Sequence, residues 1–233
     1  IPLSMLIFAH RGASKAAPEN SIKAFNLAFE QHADGIEFDT YQHDSGVVVF
    51  HDRTLARSAR EPGYLLDVQW ETLREMDIGE GERIPTLTET LNCVPSDKWC
   101  NIEIKHLQDV ERWVKEVKVA VYQSDISIEK LLISSFNHHW LHAIASRWSD
   151  VKIGALSASY ELDCTASARA LHAYSVNIAL DAVDKGFVQT AQRDGFEVFV
   201  YTVDEPRDML MLKEWGVAGI FTNVPDIARK VLL

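Results

Sequence analysis

Apolar residues recur in short continuous runs, at residues 5–9, 35–38, 100–104, 131–135, 151–156, 174–180, 198–203 and 219–222. Each is followed by a stretch with apolar positions spaced three and four apart. Residues 21–31 carry Ile22, Phe25, Leu27, Ala28 and Phe29 in this way, and residues 207–215 carry Met209, Leu210 and Leu212. Short unbroken runs predict strands buried on both faces, and the intervening period predicts amphipathic helices. Strands of that kind alternating with helices imply a parallel sheet covered by helices. Eight such units imply closure into a (β/α)8 TIM barrel, and 233 residues suffice for one. The rival, an open doubly wound sheet, lacks its Gly-x-Gly-x-x-Gly turn after the first strand. With no Pro-, Gly- or Ser-rich linker, a single domain over residues 1–233 is expected.

The rhythm breaks once, at about residues 40–84, which read as an insertion after the second strand. Val47 to Phe50 predict an extra strand, in a hairpin turned at Asp44-Ser45-Gly46. A short helix is expected to start at a capping Asp67 and to carry Val68, Trp70, Leu73 and Met76. The apolar Gly63-Tyr64-Leu65-Leu66 reads as packed against this segment. The excursion leaves the C-terminal end of its strand, where barrel active sites lie.

Composition narrows the functional classes. The formal charge of -11 argues against a nucleic acid partner, because neutralising a phosphate backbone requires a basic patch. An acidic chain that binds an anion must supply positive charge locally. Three cysteines, Cys93, Cys100 and Cys164, make no Cys-x-x-Cys pair and cannot close a complete disulfide framework, which favours a reducing compartment. The run at residues 5–9 is too short for a signal-peptide core or a membrane span. A cytoplasmic protein without stable membrane insertion is the expectation.

The chemistry concentrates at predicted strand ends. Glu37 and Asp39 lie two apart on a strand, so they share a face, and Glu103 ends the next barrel strand with Lys105 two residues on. Three converging carboxylates repel unless a cation sits among them, and an all-oxygen set selects one hard divalent cation, Mg²⁺ or Ca²⁺. The blander alternative is ion pairing of these acids with Arg11 and Lys105. His10 ends the first strand, before Arg11 and Gly12, and His51 follows the hairpin strand. Histidine titrates near neutrality, so a pair across a pocket provides base and acid in one turnover. Phosphodiester cleavage requires both, together with a cation, while Arg11 and Lys105 supply positive charge for a phosphate. Pro18-Glu19-Asn20-Ser21 opens the first helix at the same face, where Asn20 or Ser21 caps it, and Glu19 and Asn20 are given supporting roles. The remaining histidines read as structural or surface residues.

His10-Arg11-Gly12, Pro18-Glu19-Asn20-Ser21, Glu37-Phe38-Asp39, His51-Asp52, Glu103-Ile104-Lys105, Ser134-Ser135-Phe136 and Tyr201-Thr202-Val203-Asp204 occur in one order. In that order they resemble the glycerophosphodiester phosphodiesterases, from His10 to about Pro225. The resemblance implies a TIM barrel that hydrolyses small glycerophosphodiesters, such as glycerophosphocholine or glycerophosphoethanolamine, to sn-glycerol 3-phosphate and an alcohol. It implies a divalent cation at Glu37, Asp39 and Glu103, His10 and His51 as acid and base, and Arg11 and Lys105 at the phosphate. Tyr201 stands where the family commonly has tryptophan, Asp204 where it has asparagine, and Asn223 where it has aspartate. Tyr201 is given a supporting place in the pocket wall near the glycerol. None of the three is expected to touch the metal or acid/base set. The alternatives are a lysophospholipase D or sphingomyelinase D type of lipid phosphodiesterase, and a silent barrel that binds a phosphorylated metabolite.

Overall fold

The computed structural model describes residues 4–233. Eight parallel strands close into a barrel: β1 (Leu6–His10), β2 (Gly35–His43), β4 (Trp99–His106), β5 (Leu131–Ser135), β6 (Lys152–Ser157), β7 (Ser175–Ala179), β8 (Glu197–Tyr201) and β9 (Gly219–Thr222). Neighbours pair in that order, and β1 pairs with both β9 and β2, which closes the ring. All eight fall on the apolar runs of the sequence. The barrel is ringed by α1 (Ile22–Glu30), α3 (Leu87–Leu91), α4 (Val110–Tyr122), α5 (His138–Ala145), α6 (Ala166–Leu171), α7 (Lys185–Arg193), α8 (Pro206–Trp215) and α9 (Pro225–Leu232).

Local chemistry starts and stops these helices. Ser21, Asp109, Asn137 and Asp184 each accept a backbone N–H of the first turn through the side chain. Thr86 and Glu89 form a reciprocal capping box that begins α3. Proline opens α8 and α9, where its missing N–H costs nothing, and Gly216 ends α8 in the left-handed region.

The core has two main layers. One lies between strands and helices, with Phe25, Ile36, Phe38, Trp113, Ile133 and Val200 among its buried members. The other fills the barrel interior toward the N-terminal ends of the strands, where Phe8, Leu132, Phe199 and Phe221 are buried and Phe8 meets Phe221 at 5.0 Å between ring centroids. Each such side chain contributes about 1.5–3 kcal/mol on burial. This apolar plug fills the barrel interior and leaves the polar chemistry at the other end.

β2 extends five residues beyond its apolar run, because Thr40 to His43 pair antiparallel with β3 (Gly46–Val49). The hairpin and the following chain build a small core of their own from Tyr41, Val48, Phe50, Leu55, Leu65 and Leu73. Within it α2 (Trp70–Glu75) begins later than the sequence predicts. Asp67 does not cap it. That residue closes a single 3-10 turn, Leu65–Asp67, and the cap position is Gln69, which makes no side-chain capping bond. Burial of Leu65 at the centre of the small core sets the turn there and displaces the helix start.

Candidate active site

Strand register assembles the site. Parallel pairing sets His10 beside Glu37, Glu37 beside Asn101, and Asp39 beside Glu103, so residues distant in sequence meet at one level of the barrel mouth. One carboxylate oxygen from each of Glu37, Asp39 and Glu103 lies within 4.8 Å of the other two. Glu37 and Asp39 are almost fully buried. Burial first, then the charge of Asp39, pushes the Glu103 carboxyl up to about 7, and the same two causes push Glu37 well above its ordinary range.

Cations partly offset this crowding, so the ion pairs anticipated as the blander alternative do form. Lys105 Nζ donates to Glu103 Oε1 at 3.0 Å, and Arg11 Nε lies 3.3 Å from Asp39 Oδ2. Asn20 Nδ2 donates to the same Asp39 oxygen at 3.0 Å. Asn20 therefore serves Asp39, and Ser21 is the helix cap. The Arg11 backbone N–H donates to Glu37 Oε2 at 3.0 Å, whereas Glu37 Oε1 is buried with no hydrogen-bond partner. A buried carboxylate oxygen without a donor, beside two further carboxylates, is the donor set a hard divalent cation satisfies. The residues present fit such an ion.

The backbone here takes uncommon conformations. Arg11 and Asn20 take positive φ angles of 59° and 55°. Between them Gly12 sits at φ 80°, and a Cβ there would fall 2.6 Å from the backbone of Ala24, so the turn out of β1 needs glycine for both conformation and space.

Each histidine is oriented by a neighbour. His10 Nδ1 lies 2.8 Å from Asn223 Oδ1, and its Nε2 lies 4.0 Å from Glu37 Oε2. Asn223 Nδ2 donates to Asp204 Oδ2 at 2.8 Å, as does the Asn223 backbone N–H to Asp204 Oδ1. This holds the amide with its oxygen toward His10. Burial, and then the Arg11 charge, lower the His10 pKa. Asn223 and Asp204 were expected to stand apart from the acid/base set. The structure corrects this, because the turn after β9 folds back over the end of β1 and brings Asn223 onto His10.

His51 Nδ1 lies 2.6 Å from Asp52 Oδ1. Arg57 grips Asp52 at 2.7 and 2.9 Å and Glu19 at 2.9 and 2.6 Å, while Glu19 also accepts from Arg11 Nη1 at 3.1 Å. An unbroken ionic chain thus runs from Arg11 in the barrel to His51 in the hairpin segment. The Arg57 hydrogen bonds hold Asp52 down at about 2. Tyr201 lines the throat with His10, Glu37 and Ser134, donates its hydroxyl to Ser157 O at 2.7 Å and meets Phe136 edge-on. Asp52 stands in the sequence motif beside His51 but with no role of its own, and Arg57 belongs to no motif. Adjacency to His51 is a signal for the first, and nothing local marks the second.

Comparison with known proteins interprets this geometry. The model of the glycerophosphoryl diester phosphodiesterase family matches residues 10–227. The chain belongs to that family. Its activity is accordingly glycerophosphodiester hydrolysis. A glycerophosphodiester phosphodiesterase of Caldanaerobacter subterraneus subsp. tengcongensis is 34% identical over 96% of each chain. Another, of Bacillus altitudinis, is 30% identical over 97% of each. Among solved structures, an Oleispira antarctica phosphodiesterase in complex with the product sn-glycerol-3-phosphate superimposes with a TM-score of 0.90 at 24% identity, covering 98% of this chain and 96% of that one. This likeness concerns the fold. Among the described residues no helix is long and apolar enough to cross a membrane.

Proposed function

We propose that this enzyme hydrolyses small glycerophosphodiesters, glycerophosphocholine and glycerophosphoethanolamine among them, to sn-glycerol 3-phosphate and an alcohol. His10 and His51 are the proton-transfer pair, and Glu37, Asp39 and Glu103 hold one divalent cation, Mg²⁺ or Ca²⁺. The observation that carries the reading is a buried carboxylate triad with an unpartnered oxygen, with His10 beside it and His51 linked to it through the ionic chain of Asp52, Arg57, Glu19 and Arg11.

His10 is suited to begin as the base. With Asn223 Oδ1 accepting at Nδ1, the proton of a neutral ring resides there, and Nε2 presents its lone pair to the site. It takes the proton of the attacking hydroxyl, either the substrate's own or that of water. His51, with Nδ1–H donated to Asp52, is suited to protonate the leaving oxygen through Nε2. Arg11 and Lys105 face the same oxygens as cations and bind the phosphate. A divalent cation held by Glu37, Asp39 and Glu103 would supply Lewis-acid compensation for charge gained by the phosphoryl group. Glu19 and Asn20 hold Arg11 and Asp39 in place, and Tyr201 shapes the throat. Three free cysteines support a cytoplasmic setting.

Release of sn-glycerol 3-phosphate from glycerophosphoethanolamine in the presence of Mg²⁺ or Ca²⁺, and its loss on adding EDTA, is the expected result. Faster turnover of lysophosphatidylcholine than of glycerophosphocholine would overturn the substrate assignment in favour of a lipid phosphodiesterase.

A further inference from the structure

Beside the carboxylate triad a second, larger cavity of about 580 Å³ opens under the hairpin segment. Lys105 lines it, and Lys105 also bonds Glu103 of the triad, so a diester with its phosphate at Lys105 extends one ester arm into this space. The floor carries the Tyr41 ring and the His106 imidazole, stacked at 6.1 Å between centroids and 17° between planes, with His106 Nε2 buried and without a hydrogen-bond partner. The rim carries Arg53 and Asp67.

Two charges on this rim stand without an ion-pair partner among the described residues. Arg57, four residues after Arg53, is fully engaged by Glu19 and Asp52. Among the described residues neither Arg53 nor Asp67 has an ion-pair partner, and they do not pair with each other. One free guanidinium and one free carboxylate on a single cavity are complementary to a ligand that bears both an anionic and a cationic group. Choline or ethanolamine would use Asp67 and be repelled by Arg53, and a neutral polyol would use neither charge. A carboxylate, by contrast, matches the planar fork of arginine, and an ammonium beside it matches Asp67.

We propose that this cavity is the subsite for the leaving alcohol, and that it selects an alcohol carrying an ammonium and a carboxylate together, the serine headgroup being the simplest. The assignment rests on the glycerophosphodiesterase reading above and adds the substrate class. Arg53 and Asp67 are solvent-exposed, so substitutions at either leave the core intact.

The test compares kcat/KM for glycerophosphoserine, glycerophosphoethanolamine and glycerophosphocholine with wild type, Arg53→Gln and Asp67→Asn, all with the same divalent cation. Glycerophosphoserine is expected to lead glycerophosphoethanolamine by about tenfold, the effect of one charge-assisted hydrogen-bonded contact. Arg53→Gln should erase that lead, slowing the serine diester and speeding the ethanolamine diester as the repulsion is relieved, and Asp67→Asn should slow the serine and ethanolamine diesters alike. Equal turnover of the three diesters, or a serine preference that survives Arg53→Gln, overturns the subsite while leaving the hydrolase intact. Absence of turnover on every diester overturns the phosphodiesterase reading itself, and the subsite with it.

Discussion

The two halves of the barrel mouth differ in kind. β1, β2 and β4 bring His10, Arg11, Glu37, Asp39, Glu103 and Lys105 together, and the segment between β2 and α3 joins His51 to them through Asp52, Arg57 and Glu19. Across the throat, β5 to β9 present Ser134, Leu156, Tyr201 and Phe221. One half concentrates charge whose repulsion is relieved only by cations, and the other offers shape and a few hydrogen bonds. The difference teaches that effect size should follow the half in which a residue lies, with Asn223, which reaches across to His10, as the intermediate case.

Outside the proton-transfer pair, the largest effect is expected at the triad. Glu37→Gln or Asp39→Asn should lower kcat/KM by roughly a thousandfold, the several kcal/mol of charge stabilisation a bound cation provides. Metal titration followed by activity checks this, and near-normal turnover in either variant would move the chemistry elsewhere.

Next comes Asn223. Asn223→Leu removes the acceptor that orients His10 and should reduce kcat by about 10–100-fold, the usual consequence of losing such a partner. Asn223→Asp combined with Asp204→Asn keeps an oxygen at the same place and a donor–acceptor pair between the two positions, and should retain most activity. Equal damage from both variants would separate the orientation of His10 from catalysis.

Stability of the metal-free protein follows from the same crowding. The folded Glu103 carboxyl is raised from 4.5 to about 7, so the folded state holds a proton that the unfolded chain releases earlier. Between these values stability falls as pH rises, below them the carboxyl is neutral in both states, and above them the full cost is present. Mg²⁺ or Ca²⁺ should therefore raise Tm more at pH 8 than at pH 5. Scanning fluorimetry at both values decides, and an equal rise at each would contradict the buried-charge account.

The opposite half should respond least. Tyr201→Phe loses one hydroxyl bond to Ser157 O and should cost about 1 kcal/mol of stability with kcat changed by less than about threefold.

Much of this was legible in the chain. Barrel strands buried on both faces read as continuous apolar runs, and two-residue spacing displayed Glu37 and Asp39 as one face before any register was known. What escaped depends on long-range return. Asn223 touches His10 across 213 positions, and no local pattern announces that contact. Arg57 looks like any exposed arginine until the hairpin segment folds over α1's entrance and sets it between Glu19 and Asp52. Asp67 looked like a cap because its residue type suits one, and packing of Leu65 took precedence over that local preference.

The most direct test of the account is the rate of sn-glycerol 3-phosphate release from a glycerophosphodiester, at saturating divalent cation, for wild type, His10→Ala, His51→Ala and the double variant. Loss of about 10²–10⁴-fold in each single variant, with little further loss in the double, is the behaviour of a base and an acid acting in one turnover. Undiminished turnover in the double variant would contradict it.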